Sequence, residues 1–420
     1  MSLKFNPYQP NKMVAPGMFT GRIDELNVIE QCLFQTKNGN PQHFLIEGER
    51  GIGKSSMLFL VSAFSNGTVE TLHAGWMKFL TLSVDMGGVH TQLDIIRSIG
   101  RRLRAVMSDR EALKHKAKKE WDFLSKWEVL GVRYHGEIND PDPDDICEEL
   151  IKNLVDLLSS AEDELDGVFI IIDEADAPPV EANLGEFVKL FTERLTRLGC
   201  DRVLLGLAGL PNTLTKLKES HASSVRIFEV LHLAPLEPNE RDEVVRKGLA
   251  LANEKNGFET AITKDAIELL CELSEGYPHF IQQFAYSAFE QDRDNTIDVE
   301  DVIEGAYKEN GAIMQLGSKY FNEMYYGKIS SEEYRKVLAT MAIHGDDWVQ
   351  RKTLVAESGV KVTTLNNALN TLKAREVIVS DDSRQGFYKL PTRSFAAWIN
   401  AIRSVEEKGD GNVPNLFEER

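Results

Sequence analysis

The sequence is poor in cysteine. Its four cysteines, Cys32, Cys147, Cys200 and Cys271, lie far apart in 420 residues, and no two have CxxC spacing. This argues against a zinc site or a disulfide framework and fits a reducing cytoplasm. Long apolar runs are missing as well. None approaches the roughly 20 residues of a membrane-spanning helix, so no membrane partner is expected. The opening MSLKFNPYQPNKMVAPGMF has no long apolar stretch and does not read as a secretory leader. Positive charge is in short supply: 48 Lys and Arg face 66 Asp and Glu, a net charge of -18. That balance argues against coating nucleic acid with the whole surface. No internal repeat and no nuclease, protease or other effector motif is present, so any effector is expected to be a separate protein. The length suggests two or three domains, and a hydrophobic fraction of 42% is ordinary for a globular chain.

The charge is unevenly distributed. Ser318 to Arg403 holds thirteen basic and nine acidic residues, a net of +4, which leaves -22 for the remainder. A second basic stretch, Arg97 to Glu120, holds nine basic and three acidic residues, a net of +6. Such a split points to different partners for different regions.

One stretch carries clear chemistry. In HFLIEGERGIGKSSMLFLV, residues Gly48-Glu49-Arg50-Gly51-Ile52-Gly53-Lys54-Ser55 fit G-x-x-x-x-G-K-[ST] at every fixed position. The glycines let the backbone curl so that N–H groups face phosphate oxygens. Lys54 is placed to reach the β- and γ-phosphates, and the Ser55 hydroxyl to ligate Mg²⁺. A short apolar strand over 43–47 precedes the turn and a helix over 56–64 follows, its N-terminus adding a positive dipole end. Gly48, Arg50, Gly51, Ile52, Gly53, Lys54, Ser55 and Ser56 are the expected cradle for ATP.

GVFIIIDEAD supplies the matching carboxylates. Val168 to Ile172 is a continuous apolar run, as a parallel strand buried on both faces requires. Asp173 stands at its C-terminal end, where open α/β sheets bind ligands, and is placed to hold the Mg²⁺ shell. Glu174 is the natural group to polarise an attacking water. Asp176 reads as a helix N-cap.

MFTGRIDELNVIEQCL, with Phe19, Gly21, Arg22 and Glu25, resembles the segment that precedes the P-loop in AAA+ and related STAND ATPases. The resemblance implies that Gly21 and Arg22 lie by the adenine. A capped helix start with Thr20 as N-cap is compatible with it. In DRVLLGLAGLPNTL, Gly209-Leu210-Pro211 replaces the Thr or Asn that senses the γ-phosphate in these families, and Asn212 is the nearest substitute. SSVRIFEVLHLAPLE resembles the segment bearing an arginine finger. Arg226 is then a catalytic group acting on a neighbouring subunit's ATP, which implies a homo-oligomer. It reads equally as an exposed residue at a strand start, and both readings stand. Segments near 238–255, 263–275, 278–291 and 298–309 read as a helical lid. EGYPHF within it resembles the G-x-P turn of STAND proteins, and His279 stands where AAA+ proteins place a basic γ-phosphate contact.

The C-terminal region resembles the winged helix of initiator-type ATPases: helices over 333–343, 351–357 and 363–374, then a hairpin in VIVSDDSRQGFYKL. The third helix is expected to expose Lys361, Thr363, Thr364, Asn366, Asn367, Asn370 and Lys373, and the wing to offer Arg384 and Lys389 to a DNA backbone. Asp381 and Asp382 count against phosphate binding, and a winged helix also serves as a protein-interaction module. The basic stretch 97–120 stands in a place comparable to that of a DNA-facing helical element in initiator ATPases, and in that respect resembles it, or it is an exposed helix of mixed charge. Trp121 and Trp127 read as core.

The expected fold class is α/β: a doubly wound parallel-sheet P-loop NTPase core over 1–234, a helical lid over 235–312, a C-terminal winged-helix domain over 318–405 and a tail over 406–420. The expected function is a slowly hydrolysing, Mg-dependent AAA+/STAND switch ATPase of the cytoplasm. It couples ATP state to assembly and to duplex DNA, as an initiator, loader, or transposition or defence regulator. The alternative is a STAND-type signalling scaffold whose winged helix binds protein.

Overall fold

Five apolar segments build the sheet that carries the P-loop: β1 (His43–Gly48), β2 (Phe79–Asp85), β3 (Gly167–Asp173), β4 (Val203–Gly209) and β5 (Phe228–Leu233). In this computed structural model, which describes residues 4–118, 121, 142–381 and 384–408, they pair in the order β2-β3-β4-β1-β5. Every pairing is parallel. β1 and β4 are buried along their whole length, which explains their unbroken apolar runs. β1 sits between β4 and β5, away from β2, so the crevice outside the C-terminal strand ends opens beside the P-loop. Gly206 in β4 is a close-approach glycine: a Cβ there meets Phe44 at 2.4 Å and Phe169 at 2.9 Å.

The chain divides into two compact units, Met13–Ala234 and Met1–Lys12 with Pro235–Arg420. In the first, α1 (Ile23–Lys37) and α2 (Lys54–Ser65) flank β1 in sequence. α3 (Gln92–Ser108) begins at a capping box, in which Thr91 accepts the Asp94 N–H and Asp94 accepts the Thr91 N–H. α3 buries Leu93, Ile96, Ile99, Leu103 and Met107 and leaves Arg101 and Arg102 exposed. α4 (Glu111–Lys116) follows. Part of the basic charge here is neutralised internally. Lys114 pairs with Glu111 at 2.6 Å and lies 5.0 Å from the Trp121 ring centre, and Lys116 pairs with Glu164 at 2.7 Å. Trp121 packs against the core of this unit. Lys119, Glu120, Trp127, Asp382, residues 139–141 and the tail from 409 lie outside the described residues. α5 (Pro143–Ser160), α6 (Leu184–Arg197) and α7 (Thr213–Ser220) complete the unit.

In the second unit, α8 (Pro238–Asn256), α9 (Lys264–Ser274), α10 (Pro278–Gln291), α11 (Val299–Tyr307) and α12 (Ala312–Leu316) precede α13 (Glu332–Ile343), α14 (Arg351–Glu357), α15 (Val362–Ala374) and α16 (Arg393–Lys408). Strands β8 (Val349–Gln350), β9 (Val379–Ser380) and β10 (Phe387–Lys389) form an antiparallel sheet in the order β8-β10-β9. Two further two-residue strands, β6 (Ala261–Ile262) and β7 (Thr296–Ile297), pair with each other. One apolar core runs from α8 to α16 without a break. The first residues, grouped with the ATPase core on the sequence, pack in this unit instead. Tyr8 is buried against Phe289, and its hydroxyl donates to the Val245 carbonyl at 2.8 Å.

Glu275 ties the end of α9 to the start of α16. Its carboxylate accepts the Ser394 N–H at 2.6 Å, and the Ser394 hydroxyl donates to the Leu273 carbonyl at 2.9 Å. Burial pushes the Glu275 carboxyl up from 4.5 to about 6, against the lowering effect of the Ser394 bonds. The folded chain therefore keeps a proton that the unfolded chain releases. This contribution to stability is complete below about pH 4.5 and is lost as pH rises through about 6. Glu275→Gln keeps an acceptor for Ser394. Relative to the parent, its thermal stability is expected to rise between these pH values by up to about 2 kcal/mol. A difference that stays constant with pH contradicts this.

Candidate functional site

The P-loop follows β1 directly. Gly51 (φ 83°) and Gly53 (φ 102°) adopt left-handed backbone that other residues rarely reach, and this curls the loop into the N-terminus of α2. Ile52 is buried, and a Cβ on Gly48 would meet its Cγ2 at 2.8 Å, so Gly48 lets the loop close on itself. Arg50 is exposed. The Lys54 ammonium donates to the carbonyls of Gly48 at 2.6 Å and Glu49 at 3.0 Å, so it lies across the loop. Burial lowers its pKa, opposed by the nearby Asp173, Asp176 and Glu49 carboxylates. Ser56 accepts the Val14 N–H at 3.3 Å.

The Ser55 hydroxyl donates to Asp173 Oδ2 at 2.7 Å, across 118 residues of sequence. Two hard oxygen donors thus meet at the sheet's C-terminal edge, a donor set that fits Mg²⁺. Glu174 is exposed, its φ of 53° is left-handed, and its N–H donates to Asp173 Oδ1 at 2.9 Å. That backbone conformation costs about 1 kcal/mol or more in a non-glycine residue. It makes a sharp turn where the buried strand ends, and among the described residues the Glu174 side chain makes no hydrogen bond or ion pair.

Other residues at this edge differ from the sequence expectations. Asp176 is not a helix N-cap. Its carboxylate accepts the Leu210 N–H at 2.9 Å, and its carbonyl accepts a bond from Lys216, so it fixes the loop after β4. Asn212 is exposed in that loop, just before α7, and makes no side-chain cap bond. Thr20 does not cap α1 either: its hydroxyl is buried without a hydrogen-bond partner among the described residues. Arg22, with φ 63°, occupies the cap position. It is buried, donates to the Ala234 carbonyl and lies 3.5 Å from Glu25. Gly21 before it is also left-handed.

Two acidic residues near the site were not singled out on the sequence. Glu47, the penultimate residue of β1, is 3% exposed and accepts the Leu214 N–H at 2.7 Å. A charge inside an otherwise apolar strand was the available signal. Asp85 is in register with Asp173 at the end of β2.

One expected site residue of this unit stands away from the P-loop. Arg226 is exposed before β5, at the sheet end opposite the P-loop, roughly 20 Å away along the strand. It lines a cavity of about 540 Å³ with Gln42, His43, Lys189, Arg197 and Glu229. It therefore does not serve its own P-loop. His279 belongs to the second unit, half-buried beside the Tyr320 ring at 5.2 Å, with Nε2 lacking a partner among the described residues. Burial, with Lys319 adding, lowers its pKa to about 4, so the ring is uncharged near neutrality.

Lys361, at the N-cap position of α15, and Thr363, Asn367, Asn370 and Lys373 on it are exposed, whereas Thr364 and Asn366 are half-buried. Asn366 is committed to an internal bond, accepting from Arg351 Nε at 2.8 Å. Among the described residues no helix is long and apolar enough to cross a membrane.

No protein-family model matches the chain. A curated relative, an uncharacterized HTH-type transcriptional regulator of Methanocaldococcus jannaschii, is 25% identical over 286 residues, covering 67% of this chain. The match spans 66% of that relative's length, just under two thirds. Among solved structures, the ORC2 protein of Aeropyrum pernix in its ADPNP–ADP complexes aligns over 96% of this chain and 98% of its own, with a TM-score of 0.57 and 14% identity. Cdc6p of Pyrobaculum aerophilum aligns over the same shares with a TM-score of 0.47 and 13% identity. The chain shares its fold, a central five-stranded parallel sheet in a mixed α/β chain, with the Aeropyrum pernix ORC2 protein.

Proposed function

We propose that the chain is an Mg²⁺-dependent, slowly hydrolysing ATPase of the AAA+ initiator type that couples nucleotide state to assembly and to binding of duplex DNA. The observation that carries the ATPase reading is the Ser55–Asp173 contact at 2.7 Å beside a fully formed P-loop. Mg²⁺ bound there would neutralise phosphate charge. Lys54, now bonded to loop carbonyls, would transfer its bonds to phosphate oxygens. Glu174, free at the strand end, would orient and deprotonate the attacking water. The bound nucleotide in the Aeropyrum pernix ORC2 structure supports the same assignment. Arg226 faces away from its own P-loop, which suits a finger acting in trans within a homo-oligomer.

In the second unit, 235–312 is proposed as the lid and 318–405 as a winged helix that contacts DNA through α15. The relative described as an HTH-type transcriptional regulator supports this. Exposed Lys361 and Lys373 flank the polar face of α15, placed for phosphates, with Asn367 and Asn370 between them for base edges. Exposed Arg101 and Arg102 on α3 offer a second basic surface. The test is duplex binding across a salt series. Replacing Lys361 and Lys373 together by alanine should weaken binding and flatten the log–log salt slope by about 1.8, or roughly 0.9 per phosphate contact. No binding by the parent chain even at low salt would favour a signalling scaffold whose winged helix holds a partner protein.

A further inference from the structure

The hairpin between β9 and β10 contains a contact that the proposed function leaves unused. Asp381 follows β9 and makes two different bonds. Its Oδ1 accepts the backbone N–H of Arg384 at 3.1 Å, closing the turn, and its Oδ2 accepts Arg384 Nε at 2.6 Å. The Asp381 side chain is 10% exposed and that of Arg384 51%. The guanidinium lies 4.8 Å from the Phe387 ring centre and 5.8 Å from that of Trp348. The Lys389 ammonium lies 5.2 Å from the Trp348 ring centre. The register of β10 with β8, Phe387 opposite Gln350 and Tyr388 opposite Val349, fixes these aromatic rings beside the cations.

Arg384 is thus held in place by two rings and a carboxylate, with half of its side chain facing solvent. A guanidinium that bonds a carboxylate through Nε presents to it the same donors that would take a phosphate oxygen. We propose that Asp381 is an internal competitor for phosphate: it occupies Arg384 in the free wing and must give way when the wing meets a nucleic-acid backbone. The proposal rests on the DNA-binding reading above. It also changes the meaning of the acidic residue in this hairpin. Asp381 does not simply repel DNA. It sets the affinity of the wing through one arginine. If Asp381 only closed the turn, or only repelled phosphate through its charge, its effect on binding would not depend on Arg384.

Asp381→Asn separates the two roles, because the amide oxygen still accepts the Arg384 N–H while the charge is removed. The experiment uses the full chain with ATP and a fluorescein-labelled duplex of about 30 base pairs of mixed sequence, read by anisotropy at low salt. Asp381→Asn should tighten binding about three- to fivefold, the scale of one exposed ion pair. Arg384→Ala should weaken the Asp381→Asn chain clearly more than it weakens the parent. Unchanged affinity in Asp381→Asn, or an additive cycle, overturns the proposal. If Asp381→Asn lowers the melting temperature, Asp381→Ser, which also retains a turn acceptor, replaces it in the same cycle. Lys373→Ala separates the two levels of failure. If it weakens binding while Asp381→Asn has no effect, the competitor role fails alone. If no chain binds the duplex, the DNA reading fails and the competitor role falls with it.

Discussion

Lys54→Ala is expected to lower ATP affinity by at least about a hundredfold, or about 2.7 kcal/mol. The ammonium crosses a loop whose other contributions to the phosphates are neutral N–H groups and a helix dipole. Charge-assisted bonds are the strong ones in such a cradle. Lys54 is also surrounded by carboxylates at Asp173, Asp176 and Glu49. With the cation gone, these would face the triphosphate with one positive charge fewer to offset them, so the loss exceeds that of one hydrogen bond. Calorimetric titration with ATP and Mg²⁺ measures this directly, and unchanged far-ultraviolet circular dichroism would confirm that the variant is folded. Parent-like affinity would remove Lys54 from the site.

Glu174→Gln should have the opposite profile: ATP affinity within about threefold of the parent, and turnover reduced by roughly 10²–10³-fold, the usual scale for a lost general base. The substitution is nearly isosteric, and the left-handed backbone at this position is held by the Glu174 N–H to Asp173 bond, which Gln retains. Among the described residues no hydrogen bond or ion pair uses the Glu174 side chain. A large loss of turnover without loss of binding would therefore reflect proton transfer and not misfolding. Equal turnover by variant and parent would contradict the assignment.

The parts of this site that were legible in the sequence are those whose cause is local. Unbroken apolar runs mark β1 and β3 because both faces are covered, and the glycine spacing marks the loop because its φ values are restricted. α14 occupies the residues expected of it, and β5 begins just after Arg226, where a strand start was expected. β2 passed unnoticed because Ser83 and Asp85 interrupt its apolar run at the sheet edge. Asp176 reads in the sequence as an N-cap because its partner, the Leu210 N–H, lies 34 residues away and only the β3–β4 pairing brings it close. Asn366 reads in the sequence as an exposed base reader because helical periodicity cannot reveal that Arg351 reaches back to it. Nor could composition show that one apolar core joins α8 to α16, since that depends on which faces meet.

The central claim is that nucleotide at the P-loop controls contact with DNA. The most direct measurement is duplex affinity of Glu174→Gln and Lys54→Ala, each with ATP and without nucleotide, at one fixed low salt concentration. The account predicts tight binding only for Glu174→Gln with ATP, and weak binding in the other three cases. Equal affinity in all four would contradict it, leaving the nucleotide site and the DNA surface as independent features of the chain.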